Sequence, residues 1–154
     1  MNKLLILTVL LIAVSCSNSK KISSSSSTSS NAEKGNTRTK KVQMIDNDTY
    51  LLTEQSDDKT YGFEQSNPIK VGEFSPQNER RFLNALLGPN GETVKYFRSG
   101  SCCPFKTPNA MIGDGGLLDR YRVFWDGNKD TLNIYINMYD KGDLKIPVGF
   151  TAKQ

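Results

Sequence analysis

The side chains best suited to chemistry lie mid-chain, where Arg98 precedes Ser101-Cys102-Cys103-Pro104-Phe105. Two adjacent thiols near a guanidinium suit a redox pair, a nucleophile with an anion-binding partner, or a pair of metal ligands. Geometry restricts all three. Adjacent Cα atoms lie about 3.8 Å apart across a trans peptide and about 2.9 Å across a cis one, whereas ordinary disulfides span about 4.4–6.8 Å. The residues leave three states open: separate thiols on opposite faces of a strand, a strained vicinal disulfide making a rigid turn, and redox or metal chemistry. A zinc site normally needs four ligands, and the chain contains no histidine to complete one. That absence also removes a Ser-His-Asp triad and a Cys-His pair. No metal and no cofactor is expected.

Arg120, Arg122 and Tyr135 form a second group, set by two alternating runs. Tyr121, Val123 and Trp125 alternate with Arg120, Arg122 and Phe124, and Leu132, Ile134, Ile136 and Met138 alternate with Asn133, Tyr135 and Asn137. This is the period of half-buried strands. A two-residue turn at Gly127-Asn128 would set Val123 opposite Leu132 and Tyr121 opposite Ile134. A slip of one residue would oppose apolar and polar side chains, so the pattern specifies the register. The polar face then either solvates the sheet or recognises a ligand. In the second case guanidinium and amide groups grip carboxylates or hydroxyls, and Tyr135 offers a stacking plane. Periplasmic glycans and peptidoglycan stems suit such groups. Gly113-Asp114-Gly115-Gly116 reads as a flexible loop or as one that closes over a ligand beside Cys103 and Arg98, and Asp57/Asp58 and Asp140/Asp143 as solubilising turn residues, with acid–base partners the alternative.

The remaining elements must hold these groups. Residues 50–53 and 60–63 are short β-prone pieces around a Ser56-Asp57-Asp58-Lys59 turn, and 69–71 is another strand. Ser75 is a suitable N-cap with Pro76 at the first helical position. Phe82, Leu83, Leu86 and Leu87 make an apolar helical stripe that Gly88-Pro89 ends. Pro89-Asn90-Gly91-Glu92 is a turn, after which 93–99 is a strand with Val94 and Tyr96 on one face and Lys95 and Phe97 on the other. The expected class is α+β: a small antiparallel sheet with a C-terminal β-hairpin and one short amphipathic helix.

Ahead of this domain the chain reads as an address and a tether. Lys3 precedes an eleven-residue apolar run over 4–14 that ends in Ala13-Val14-Ser15-Cys16 and turns abruptly polar. Eleven helical residues reach about 16 Å, too short for a hydrocarbon core of about 30 Å. The pattern resembles a bacterial lipobox, with 1–15 a lipoprotein signal peptide and Cys16 the lipid attachment site. Ser17 rather than aspartate after it resembles lipoproteins sorted to the outer membrane, and the absence of an acidic cluster there argues for facing the periplasm. Residues 16–41 then form a lipidated Cys and a Ser/Lys-rich tether, expected to be disordered and, as a flexible coil, to span about 25–30 Å. Residues 42–154 form a single α+β domain.

The formal net charge of +4 is unevenly spread. Residues 17–41 carry six basic groups against Glu33 alone, whereas 42–154 hold 13 basic and 15 acidic groups. The pI near 8.9 therefore belongs to the tether and does not indicate a nucleic-acid partner.

The stretch from Glu79 to Gly91, the run Ser101-Cys102-Cys103-Pro104-Phe105-Lys106-Thr107-Pro108-Asn109 and Ile134-Tyr135-Ile136-Asn137-Met138-Tyr139-Asp140 together resemble a family of small flavobacterial-type lipoproteins of unknown function. The resemblance covers about 67–151, and Ser-Cys-Cys-Pro-Phe is its most specific part. Members are sometimes labelled 2-dehydro-3-deoxyphosphooctonate aldolase. A (β/α)₈ barrel needs about 250 residues, and this chain has 154 and a lipobox. The expectation is a membrane-anchored, periplasm-facing module for binding or envelope structure, partnered by the membrane through its lipid and by a cell-wall glycan or another envelope protein. The alternative is a small envelope enzyme using Cys102 or Cys103 with Arg98.

Overall fold

Period-two alternation and one amphipathic stripe decide the architecture of residues 35–154, the part that the computed structural model describes. The expected signal peptide, Cys16 and the tether up to residue 34 lie outside the described residues. The elements are β1 (Gln43–Asp46), β2 (Thr49–Leu51), β3 (Ile69–Lys70), α1 (Pro76–Ala85), β4 (Leu86–Leu87), β5 (Lys95–Lys106), β6 (Gly115–Phe124), β7 (Leu132–Asn137) and β8 (Thr151–Ala152). The main sheet has the order β3-β7-β6-β5, while β1-β2 and β4-β8 are separate two-stranded pairs. Only β3 and β7 run parallel; the other pairs are antiparallel. The class is α+β, with one short helix among the described residues.

The β6–β7 register is the one the alternation implies: Val123 opposes Leu132, Tyr121 opposes Ile134 and Asp119 opposes Ile136. The connection is longer than a two-residue turn. The strands stop at Phe124 and restart at Leu132, and the Trp125 ring packs edge-on against Phe150, with centroids 5.3 Å apart. Tyr121, Val123, Ile134 and Ile136 meet Phe82, Leu83 and Ala85 of α1 in one core with Tyr50, Leu52, Ile69, Val71 and Phe150. Full burial of an apolar side chain of this size contributes about 1.5–3 kcal/mol.

Several expectations need correction. Residues 60–63 are a turn, not a strand: the Phe63 and Glu64 amides both donate to Thr60 O, at 2.9 and 3.0 Å. Gly62 sits there at φ 79, where a Cβ would come within 2.8 Å of Ile69 Cδ1. The helix stops at Ala85 because Leu86 and Leu87 pair with Ala152 and Thr151 of β8, and Lys153 N caps Ala85 O at 2.9 Å. Ser75 occupies the N-cap without a side-chain cap bond. The strand expected over 93–99 runs on through the cysteines to Lys106, bulged between Arg98 and Gly100 and between Cys102 and Pro104. Its partner begins at Gly115-Gly116, so these glycines are strand and not loop.

The folded unit also begins before Val42. The Thr37 and Arg38 amides donate to Lys141 O. The Arg38 guanidinium donates to Gly142 O, Lys70 O and Val71 O at 2.9, 3.0 and 3.0 Å. Thr39 bonds Asp143 through both its amide and its hydroxyl. The last residues of the expected tether are thus strapped to the domain.

Candidate functional site

Strands β5 and β6 carry the candidate residues on two faces. On the inner face Arg98 opposes Tyr121 and Ser101 opposes Asp119. The Arg98 guanidinium grips Asp119 with both ends of its fork, Nε to Oδ2 and Nη2 to Oδ1, each at 2.7 Å. Ser101 Oγ adds a third bond to Asp119 at 2.9 Å. Burial opposes ionisation of Asp119, but Arg98 and Ser101 outweigh it and hold the carboxyl below its ordinary range. Arg98, assigned by sequence to ligand binding, is spent on this internal pair. The bulge at Gly100 brings this about, letting Arg98 and Ser101 face the same carboxylate.

Beneath them lies Glu79 of α1, with no exposed surface. Its Oε2 accepts from the Tyr121 hydroxyl at 2.8 Å, while Oε1 has no donor. Burial pushes the Glu79 carboxyl up to about 8, and the neighbouring Asp119 carboxylate, within hydrogen-bonding reach, pushes the same way. A proton kept on Glu79 leaves Asp119 as the one negative charge facing Arg98. Burial and the Glu79 carboxylate also drive the Tyr121 phenol upward. Sequence reading passed over Glu79 and Asp119, although Glu79 shares the helical stripe of Phe82, Leu83 and Leu86, and Asp119 continues the inward alternation of Tyr121 and Val123.

Cys102 and Cys103 are bonded to each other, with Cα atoms 3.7 Å apart. Cys103 is the residue the second bulge leaves out of the ladder, since Cys102 opposes Leu118 and Pro104 opposes Leu117. It takes φ 60, a left-handed conformation uncommon for a residue with a Cβ. Of the three states left open by sequence, the structure holds the vicinal bridge. Neither sulfur is a free nucleophile in this state. Beyond Asp119, β6 pairs only with β5, so the disulfide rides on a two-stranded arm whose tip exposes Met111 and Ile112.

The loop that closes this arm is tied down by a carboxylate read from sequence as a solubilising turn residue. Asp140 is buried. It accepts from Thr107 Oγ1 and Asn109 Nδ2 at Oδ1, at 2.5 and 2.7 Å, and from Asn137 Nδ2 at Oδ2, at 2.9 Å. Asn137, expected on the open face, is consumed in this clasp.

The outer face matches expectation better. Arg120 opposes Tyr135, and Arg122 stands between Phe97 on one side and Asn133 on the other. Arg120 makes one side-chain bond, Nε to Ser99 Oγ at 3.0 Å. No hydrogen bond or ion pair among the described residues engages the Arg122 guanidinium, and Asn133 Oδ1 has no donor. Phe97 is 54% exposed. Tyr135 donates its backbone amide to Gly62 O at 2.8 Å, and its ring walls a shallow depression with Phe63, Glu64, Gln65 and Ser66. This row offers two guanidinium groups with unspent hydrogen-bonding capacity, bracketed by aromatic rings, over the buried Asn133 Oδ1. Chemically it can take a carboxylate or a vicinal pair of hydroxyls against a flat apolar surface.

Among the described residues no group of three Cys, Asp or Glu side chains could hold a metal ion, and no helix is long and apolar enough to cross a membrane. Compared with known protein families, curated proteins and solved structures, the chain matches none.

Proposed function

We propose that the chain is a lipoprotein anchored through Cys16 to the bacterial envelope, facing the periplasm from the outer membrane, and that its folded unit is a binding module for acidic cell-wall glycan or its peptide stems. The lipobox-like residues and the resemblance to small lipoproteins support the anchor. The observation that carries the binding role is the row Arg120, Arg122 and Tyr135 with Phe97 and Asn133, where guanidinium donors stand unspent beside the exposed Phe97 ring. The cysteine-enzyme alternative loses support because both sulfurs are consumed in one bridge. The anchor is tested by fatty-acid labelling in cells: Cys16→Ser abolishes incorporation, and normal incorporation refutes the lipoprotein reading. The binding role is tested by co-sedimenting the full chain, in non-ionic detergent, with purified peptidoglycan sacculi. Saturable retention is expected, and a chain left wholly in the supernatant overturns the assignment.

A further inference from the structure

A separate cluster of cations lies where the N-terminal strap meets α1. An open cleft of about 320 Å³ is lined by Arg38, Lys41, Arg81 and Lys141 over a floor that includes Tyr50 and Asn78. Glu73 is the single carboxylate in its wall. The charge is poorly compensated. Arg38 spends its donors on three backbone carbonyls, which satisfy the N–H groups without neutralising the ion. Arg81 likewise donates to neutral oxygens, Asn47 O at 2.9 Å and Asn78 Oδ1 at 3.0 Å. Lys41 has no hydrogen bond or ion pair among the described residues. Only Lys141 meets a carboxylate, Glu73 Oε1, at 3.3 Å. Tyr50 and Asn78 are both nearly inaccessible, so the floor is polar and fixed. The positive field reaches it: burial drives the Tyr50 phenol up, and Arg38 and Arg81 both act against that shift.

Glu73 is held there by unusual backbone. Gly72, Glu73 and Phe74 take φ of 73, 68 and 50 in succession, a run of left-handed residues of which two carry side chains. Such conformations persist only where surrounding structure imposes them, and they cluster at ligand sites. Here the Phe74 amide is tied to Met138 O at 2.8 Å. The Lys141 stem fills the place a Cβ on Gly72 would need, its Cγ only 2.3 Å from that position. Lys141 thus runs along Gly72 and delivers its ammonium to Glu73.

We propose that this cleft binds a phosphate group, and that Glu73 occupies it as an internal stand-in anion that the ligand displaces from Lys141. Three uncompensated positive charges suit a multiply charged tetrahedral anion better than a carboxylate, which Glu73 already supplies. The phosphate can come from a soluble phosphate compound or from the head group of an anionic lipid near the anchor. The assignment is independent of the outer-face reading.

The test is calorimetric titration of the full chain, in non-ionic detergent at constant ionic strength. One probe is inorganic phosphate, and the other is glycerophosphoglycerol, the deacylated head group of an anionic phospholipid. Saturable one-to-one binding of at least one probe is expected, with the tighter probe naming the source. Lys41→Gln/Lys141→Gln should weaken that binding about tenfold or more, the scale of losing charge-assisted contacts. Glu73→Gln should tighten it, because the competing carboxylate is gone. Lys41 is exposed and unpaired, so Lys41→Gln alone gives a folded variant, expected to weaken binding about threefold to tenfold, should the double variant unfold. The proposal is overturned if neither probe saturates at millimolar concentration, if the lysine substitutions leave binding unchanged, or if Glu73→Gln weakens it.

Discussion

On the inner face of β5 and β6, Arg98 gives both ends of its fork to Asp119, and the buried Glu79 carboxyl beneath them is pushed up to about 8. On the outer face of the same strands, no hydrogen bond or ion pair among the described residues engages the Arg122 guanidinium, and Arg120 spares one bond for Ser99. The two faces contain the same guanidinium chemistry, and the buried carboxylates of the inner face separate their roles. Asp119 is 4% exposed and Glu79 is fully covered, so an unpaired charge there would be costly and the fold supplies partners. The outer arginines are half-buried but face no carboxylate among the described residues, and their guanidinium groups remain free for a ligand. A candidate binding residue is therefore recognised by unspent hydrogen bonds, not by residue type.

The largest effect expected from breaking this contrast is a pH dependence. In the folded chain Glu79 is pushed up to about 8 from the ordinary 4.5. The folded state keeps a proton that the unfolded state gives up once pH passes about 4.5, so stability is fully present below that pH and is lost progressively up to about 8. The slope reaches at most about 1.4 kcal/mol per pH unit. Asp119 acts oppositely and lower: its depressed carboxyl stabilises above its ordinary 3.8 and loses that contribution as pH falls through the folded value. Glu79→Gln keeps a donor for Asp119 and an acceptor for Tyr121 while removing the titration. Urea unfolding of this variant should be nearly flat between about pH 5 and 8, and more favourable than wild type at the upper end.

Next comes Arg98→Gln, which strands Asp119 beside Glu79. Breaking a buried pair costs about 3–5 kcal/mol; half of the Arg98 side chain is exposed, so water tempers the loss to about 2–3 kcal/mol. A third and smaller effect concerns Arg38, an arginine satisfied by carbonyls. Mild proteolysis of the full chain should leave a core beginning at or before Gly35. Arg38→Ala should move that boundary to about Val42, with about 1–2 kcal/mol lost in the same unfolding assay.

How much of this was legible depends on where local pattern and tertiary pairing agree. The β6–β7 register followed from alternation alone, because Tyr121, Val123, Ile134 and Ile136 had only one way to share a face. The outer row of Arg120, Arg122 and Tyr135 came with it. Leu86 and Leu87 were misread because their helical spacing was as good as that of Phe82 and Leu83. Pairing with β8, more than sixty residues on, decided against the helix, and nothing local announces such a partner. Arg98 was misread for a subtler reason. A bulge is one residue out of step, so a glycine at position 100 redirected the side chains around it. Asp140 looked like a surface turn residue because its partners, Thr107, Asn109 and Asn137, arrive from separate segments.

The smallest expected change in stability accompanies the largest expected change in function, and measuring both in one pair of variants tests the central claim. Arg98→Gln and Arg120→Gln/Arg122→Gln would be carried side by side through urea unfolding and sacculus co-sedimentation. The account expects Arg98→Gln to lose about 2–3 kcal/mol of stability while retaining sacculus affinity at temperatures where it stays folded. It expects the double variant to unfold within about 0.5 kcal/mol of wild type and to lose at least about tenfold in affinity, since charge-assisted contacts contribute about 1.5–3 kcal/mol each. The opposite pattern, with the double variant destabilised by several kcal/mol or binding sacculi like wild type, would contradict the assignment of the two faces.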